Sequence, residues 1–343
     1  MPTRRLVRVF GPLPPPVHGA SRVTRMVADL VAAEPGVLVR AYDSNDGVGV
    51  ATRLARLLRG LASLALGRRG SVYVGGAGGE LLWYQAVVVL LARLRRQPVA
   101  FHHHNFSYLH DRDRAMAALC RAGGSRVRHV VLGPSMESAL RDVYPRATDV
   151  RVCSNAGLLG DVTPAEPGEP GPLVLGHLSN LSREKGVDLV IESARQLLDA
   201  GVEVTLVLAG PCADAEAEAV VQAGRRDLGP ALEVLGRVAP ERVDEVYSRL
   251  DLFVFPSRYR NEAEPLVVLD AMRHGVESVA FDTGCLRELV TSDHLVPLEG
   301  DLPALVARIG HVRRGHSDAT RRYTARRDQA RVALRELVDY LVG

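Results

Sequence analysis

Lysine is almost missing from this chain. Of 43 basic residues only position 185 is lysine, and all the others are arginine. A compact, strongly hydrated ammonium on a flexible stem suits a phosphate in a tight loop, where a planar guanidinium does not serve. Long apolar runs are missing too, and none reaches the roughly 18 residues that a membrane-spanning helix needs. The opening residues MPTRRLVRVFGP are basic without an extended apolar region or a cleavage site, so no signal peptide is expected. The four cysteines, Cys120, Cys153, Cys212 and Cys285, lie far apart without metal-ligand spacing, as expected of reduced thiols in a cytoplasmic protein. A net charge of +3 is too small to argue for nucleic acid as a partner. No internal repeat is visible.

What is present is enough chain for two cores, 343 residues with 47% hydrophobic. Strand and helix patterns alternate. RLVRVFG reads as a strand, GPLPPPVHGAS as a stiff loop, and residues 20–31 as the first helix. SVYVGGAGGE is a strand ending in glycines that let a backbone or a ligand approach closely. VRHVVLGPSMESALRDVY reads as a strand and a helix capped by Ser135. Composition shifts at residues 160–172, where four prolines and three glycines predict an interdomain hinge. Past it the alternation restarts with LVLGHLS, NLSREKG and VDLVIESARQLLDAG.

The second half is organised around residues 247–272, YSRLDLFVFPSRYRNEAEPLVVLDAM. LDLFVFPS is short, apolar and flanked by polar residues, the mark of a buried parallel strand. SRYRNEAEP is a loop at its carboxyl end, and PLVVLDAMRHG opens a helix with Pro265 in the first turn and closes at Gly275. Loops between a parallel strand and a helix N-terminus are where open α/β sheets bind ligands, anions above all. Glu262 and Asp270 stand eight residues apart here. Two acids beside an anion site suit the hydroxyls of a ribose and a sugar; equally, Glu262 is a solvated loop acid and Asp270 one favoured near a helix start.

Glu262, seven residues and a second acid resemble the E-x7-E signature of family-four retaining glycosyltransferases of the GT-B fold, with Asp270 one methylene shorter than glutamate. LGHLSNLSREKGVDLVIESARQLL resembles the strand, loop and helix that carry this family's Arg-x4-Lys pair. Lys185 falls on the lysine, Asn180 on the arginine, and Arg183 on the same loop offers the missing charge. The resemblance is strongest over 174–290. It implies two Rossmann-like doubly wound α/β domains facing across a cleft: an acceptor-side domain over 1–160, a linker over 161–172, a nucleotide-sugar domain over 173–320, and a final helix over 321–343 packing back toward the first domain. It implies an enzyme that moves sugar from a UDP- or GDP-sugar to a hydroxyl of a glycan, lipid-linked or small-molecule acceptor, by front-face attack with retention. Lys185, Glu262 and His104 are the implied catalytic residues. Implied donor contacts are Gly19, Asn180, Arg183 and Gly210; Arg237 and Val238 near the base; Ala263, Glu264 and Leu266 through N–H groups on the diphosphate; and Asp270 on the ribose. Glu288 falls on a further glutamate of the family. No cofactor and no metal is expected, because lysine and amides supply the charge that the leaving diphosphate needs. A sugar-nucleotide epimerase or hydrolase, and an inactive nucleotide-sugar-binding partner subunit, remain alternatives; Asn180 keeps the second open.

In the first half PVAFHHHNFSYLHD is the most informative stretch. Strand alternation puts His102 and His104 on one face and His103 on the other. With no third ligand nearby, zinc is a weak reading. The resemblance places a histidine at this strand's end, and His104 matches it, with His102, Asn105 and Tyr108 as acceptor-side candidates. ATRLARLLRGLASLALGRRG has apolar residues at helical spacing among arginines, and WYQAVVVLLARLRRQ ends in a second basic cluster. Such helices either pack on a sheet with a solvated arginine face or lie on an anionic membrane surface. Peripheral contact with the inner face of the membrane therefore stands beside a plainly cytoplasmic location.

Overall fold

The computed structural model describes residues 4–45, 50–163, 171–298, 301–311 and 317–343. The chain divides into two compact units, Met1–Leu158 with Arg327–Gly343, and Leu159–Arg326. Most of the expected linker, 164–170, lies outside the described residues.

Unit 1 alternates strands and helices: β1 (Arg5–Gly11), α1 (Gly19–Ala32), β2 (Val37–Asp43), α2 (Val50–Leu66), β3 (Ser71–Gly76), α3 (Leu81–Leu94) and β4 (Val99–His103). It continues with α4 (Ser107–His110), α5 (Arg114–Gly123), β5 (Val127–Val131), α6 (Pro134–Val143) and β6 (Asp149–Val152). All six strands pair in parallel, in the order β2-β1-β3-β4-β5-β6. Strands β3 and β4 are buried at every residue, including the two histidines that end β4. One residue breaks the apolar pattern of β1. Arg8 is fully buried and donates to Ser63 O and Arg68 O, both at 2.8 Å, satisfying carbonyls at the end of α2. Helix α1 starts at Gly19 through a reciprocal cap: Ser21 N–H donates to His18 Nδ1 at 3.3 Å, and His18 N–H to Ser21 Oγ at 3.0 Å. The expected Ser135 cap of α6 is corrected: Gly133 is the N-cap and Pro134 occupies the first turn, where its missing N–H costs nothing.

Unit 2 holds β7 (Leu173–Leu178), α7 (Val187–Asp199), β8 (Val204–Ala209), α8 (Ala215–Leu228), β9 (Leu232–Gly236), α9 (Val243–Tyr247), β10 (Leu252–Phe255) and α10 (Leu266–Arg273). Then come β11 (Glu277–Phe281), β12 (Leu295–Val296), α11 (Leu302–His311) and α12 (Ala319–Val342). Helix α12 contributes its first turns to unit 2 and the rest to unit 1. The sheet order is β12-β11-β10-β7-β8-β9, again all parallel. The chain leaves β7 in one direction and returns on its other side at β10, so the strand order reverses between these two. Loops at the carboxyl ends of such a pair diverge and leave room for a ligand. His177 stitches the pair together below that point: its ring bonds Val254 O at 2.9 Å and Ser179 Oγ at 2.9 Å. No helix among the described residues is long and apolar enough to cross a membrane, and all four cysteines are free thiols.

A buried ionic brace closes unit 2. The Arg326 guanidinium donates to Glu264 at 2.9 Å and to Glu288 at 3.0 Å, and the Glu264 side chain is 0% exposed. It ties α12 to the loops that follow β10 and β11. Breaking a buried pair from one side destabilises strongly, so Arg326→Ala is expected to lower unfolding stability in urea by about 3 kcal/mol or more. Arg326→Lys should recover only part, because an ammonium lacks the fork that spans two carboxylates. An Arg326→Ala protein as stable as the parent would show the brace to be ornamental.

Acid should act through the histidines. Burial holds His129 and His177 down to about 4, and pushes His102 and His103 well below the ordinary value. These rings stay neutral in the folded chain but take a proton once unfolded, below about pH 6.5. The unfolded state therefore binds more protons between about pH 6.5 and about pH 4, and stability must fall as pH falls through that window. The urea midpoint is expected to drop between about pH 7.5 and about pH 5.5, before most carboxylates titrate. A midpoint flat over that interval would contradict the assignment.

Candidate functional site

The residues with the strongest chemical argument meet at the reversal point of unit 2. Lys185 lies on the loop after β7 and Glu262 on the loop after β10, and Lys185 Nζ donates to Glu262 Oε2 at 2.5 Å. Ser257 Oγ donates to the same carboxylate oxygen at 3.2 Å. The Tyr259 ring lies 4.8 Å from the ammonium, a cation–π contact. Both charged side chains are mostly enclosed, 24% and 12% exposed. The loop itself is held by Ser182 Oγ, which accepts from Lys185 N–H at 3.1 Å.

Two glycines let the loops come this close. Gly186, at φ +83°, precedes α7, and a Cβ there would run into Pro256 O at the end of β10. Gly284, at φ +56°, follows β11, and a Cβ there would run into Glu262 O. A side chain at Gly186 separates the two loops that carry the pair, and one at Gly284 displaces the Glu262 loop from the β11 side, quite apart from the strain of a positive φ. Beside the pair, α10 begins at Leu266 with Pro265 as its N-cap. Its first N–H groups lack intrahelical acceptors and carry the positive end of the helix dipole. An ammonium, a helix start and a restrained carboxylate at one sheet edge can receive an anion and the hydroxyls around it.

The other candidates of unit 2 fall less simply. Asn180 is exposed on the Lys185 loop. Arg183, expected to replace the charge missing at Asn180, is turned instead toward Asp188 at 3.4 Å and Glu216 at 2.7 Å. Glu264 has its carboxylate sealed against Arg326, so only its main chain is left to face a ligand. Asp270 is 4% exposed with Oδ1 3.5 Å from Arg273 Nε. Glu288 shares Arg326 with Glu264. Ala263 and Leu266 are buried at the start of α10. Gly210, at φ +124°, ends β8 against Ser179, while Arg237 is exposed and Val238 half-buried just after β9.

In unit 1, Gly19 is the exposed first residue of α1. His102 and His104 share a face with rings 4.2 Å apart, and His103 turns the other way to His129 and Tyr108. His104 is half-buried, its ring held down to about 3 by burial, and its Nε2 has no hydrogen-bond partner. His102 and Tyr108 are each 1% exposed and bonded inward, to Tyr73 Oη at 2.8 Å and His103 at 3.0 Å. The acceptor contacts expected of these two are corrected: both side chains belong to the core. Asn105 Oδ1 accepts from Ser107 N–H at 2.7 Å, shaping the turn into α4. The chain also holds an Asp-x-Asp triplet, Asp111 to Asp113, in which Asp113 caps α5 by accepting from Met116 N–H at 2.9 Å. Among the described residues no group of three or more His, Cys, Asp or Glu could hold a metal ion.

Three participants escape a reading of the sequence. Ser257 and Tyr259 lie inside the organising stretch, but only the fold shows that they hold Glu262 and Lys185. Arg326 has no local signal at all, standing 62 residues from Glu264.

Comparison with known proteins bears on the same half of the chain. The model of the family described as glycosyl transferases group 1 matches residues 163–312. Glycogen synthase of Streptococcus pneumoniae (strain ATCC 700669 / Spain 23F-1) is 33% identical over 132 residues, 38% of this chain and 25% of that protein. The lipopolysaccharide core biosynthesis mannosyltransferase LpsB of Rhizobium meliloti (strain 1021) is 32% identical over 146 residues, 40% of each. The chain thus spans only a quarter to two fifths of the length of these curated relatives. Among solved structures, HepE of Anabaena in complex with UDP matches with a TM-score of 0.69 at 15% identity, over 98% of this chain and 99% of that one. The lipopolysaccharide outer core galactosyltransferase WaaB, in its apo form, matches with a TM-score of 0.71 at 15% identity over the same shares. At that identity the likeness establishes the fold, which is GT-B. Residues 163–312, which carry the Lys185–Glu262 pair, are the part of the chain that matches the glycosyl transferases group 1 family model.

Proposed function

We propose that this chain is a retaining glycosyltransferase that takes a UDP- or GDP-sugar and moves the sugar to a hydroxyl acceptor without a metal ion. The observation that carries this reading is the Lys185–Glu262 pair, set at the strand-order reversal of a family-matched domain beside the start of α10. HepE, which shares the fold, has been solved with UDP and with UDP-glucose, which supports a nucleotide-sugar donor.

In this mechanism the sugar–phosphate bond breaks as the acceptor oxygen bonds to the same anomeric carbon on the same face. The acceptor's proton passes to the departing phosphate oxygen. Negative charge accumulates on the diphosphate only as the bond breaks, so positive charge fixed in advance beside it lowers the barrier more than it tightens the ground state. Lys185 supplies that charge, and the N–H groups at the start of α10 add to it. Glu262 keeps the ammonium in place before the donor arrives and then offers its carboxylate to a sugar hydroxyl. A second reading, a nucleotide-sugar-binding partner subunit without activity, draws on one observation: Arg183, on the Lys185 loop, is tied to Asp188 and Glu216.

A thermal-shift series with UDP, GDP and ADP is expected to raise the midpoint with one of them, because a ligand that binds only the folded chain stabilises it by mass action. Lys185→Ala should lower turnover by at least ~100-fold, the usual cost of one charge contact made in the transition state. Lys185→Arg should restore little of it. Near-normal turnover in Lys185→Ala would remove the lysine from the mechanism, and binding without turnover across an acceptor panel would favour the second reading.

A further inference from the structure

Two helices of unit 1 carry apolar surface that the unit leaves bare. Among the described residues twelve large hydrophobic side chains are exposed, and eight of them lie on α2 and α3. On α2, Val50, Leu54, Leu58 and Leu66 are 85, 55, 55 and 85% exposed. With exposed Ala62 between them they recur at every fourth residue, so they form one stripe along the helix. On α3, Trp83, Val87, Leu90 and Leu94 follow spacings of four, three and four, which is also a single face. The helices pack side by side. Tyr84 Oη donates to Leu57 O at 3.3 Å, and Arg95 Nη2 donates to Gly67 O at 2.6 Å where both helices end.

The charge around these stripes is one-sided. Residues 50–110 contain eight arginines and a single acid, Glu80, and one of these arginines, Arg56, pairs with Asp43 of β2 at 3.1 Å. At the shared end of the helices, Arg68 and Arg69 join Arg4 and Arg5 around a recess of about 440 Å³ that Ser71 and Tyr340 also line. Leu66, 85% exposed, stands two residues before Arg68 in the chain, and Leu94, 70% exposed, stands between Arg93 and Arg95. Apolar area of this extent on a surface calls for an occupant. A second copy of the chain is a poor one, since a two-fold contact would set one arginine-rich face against its twin with almost no acid on either side. An anionic lipid surface suits both halves of the pattern: the headgroup–acyl boundary accepts the stripes and the exposed tryptophan, and phosphates accept the arginines.

We propose that unit 1 docks α2 and α3 onto an anionic phospholipid surface, with headgroup phosphates drawn to the arginine-lined recess beside the ends of these helices. The contact is peripheral, apolar side chains entering only to the depth of the headgroup boundary. It does not depend on the donor chemistry proposed above.

The chain supplies its own probe, because Trp83 is its single tryptophan. With the full chain and mixed phosphatidylcholine–phosphatidylglycerol vesicles, Trp83 emission is expected to move to the blue and the protein to sediment with the vesicles. Pure phosphatidylcholine should give neither effect, and high salt should weaken both. Leu54→Asp with Leu58→Asp, and separately Arg68→Glu with Arg69→Glu, should each cut partitioning by at least about ten-fold. Their circular dichroism and melting midpoint serve as controls of folding. Quenching of Trp83 by lipids brominated high on the acyl chain supports the proposal in the unmutated protein, even where a variant fails to fold. Absence of any shift on anionic vesicles at low salt, or equal binding to neutral ones, overturns it. So does a dimer in solution that Leu54→Asp with Leu58→Asp dissociates.

Discussion

One ammonium–carboxylate contact ties the functional half of this chain together. Lys185 and Glu262 stand 77 residues apart, and they meet because β7 and β10 are neighbours in the sheet although β8 and β9 intervene in the chain. An ion pair near a surface contributes little to stability. The significance of this one is positional: it holds the chain's only ammonium at the carboxyl edge of a parallel sheet, beside a helix start. Everything around it serves that placement. Gly186 and Gly284 remove side chains that would push the loops apart, and Ser257 fixes the carboxylate oxygen that the ammonium meets.

The two units use the same architecture with different interiors. At the carboxyl edge of β4, unit 1 gathers histidines that burial keeps neutral, bonded to tyrosines and to one another. Unit 2 concentrates formal charge, with Lys185 against Glu262 and Arg326 between Glu264 and Glu288. Neutral rings survive burial with one nitrogen unbonded, as His102, His104 and His129 do at Nε2, whereas buried charges need partners in place. That difference explains why the charged groups of unit 2 come as closed sets. It also explains why Glu264, attractive as a ligand contact by position, is engaged with Arg326.

Much of this was legible without coordinates, for identifiable reasons. An apolar run such as LFVF, too short for a helix and flanked by polar residues, reads as a buried strand, and Leu266–Arg273 follows it as a helix because Pro265 and the glycine at 275 bound it. The face alternation of His102, His103 and His104 follows from the period of a strand. Other features depended on local competition that the sequence leaves undecided. Ser135 is a good capping residue, yet Pro134 next to it favours the first helical turn and moves the cap to Gly133. Tyr108 carries a hydroxyl that could face a substrate, but the short helix around it turns that hydroxyl onto His103.

By itself the sequence determined the alternation of strands and helices, the parallel sheets that follow from it, and the singular position of Lys185. These are properties of neighbouring residues, and chain periodicity expresses them directly. Tertiary structure alone decided which loops meet: Lys185 with Glu262, Arg326 with Glu264 and Glu288, and the arginines at 68 and 69 with those at 4 and 5. Strand order and the crossing of helices govern these pairings, and both arise from burying two faces of each sheet at once, a constraint on the whole chain that no local stretch records.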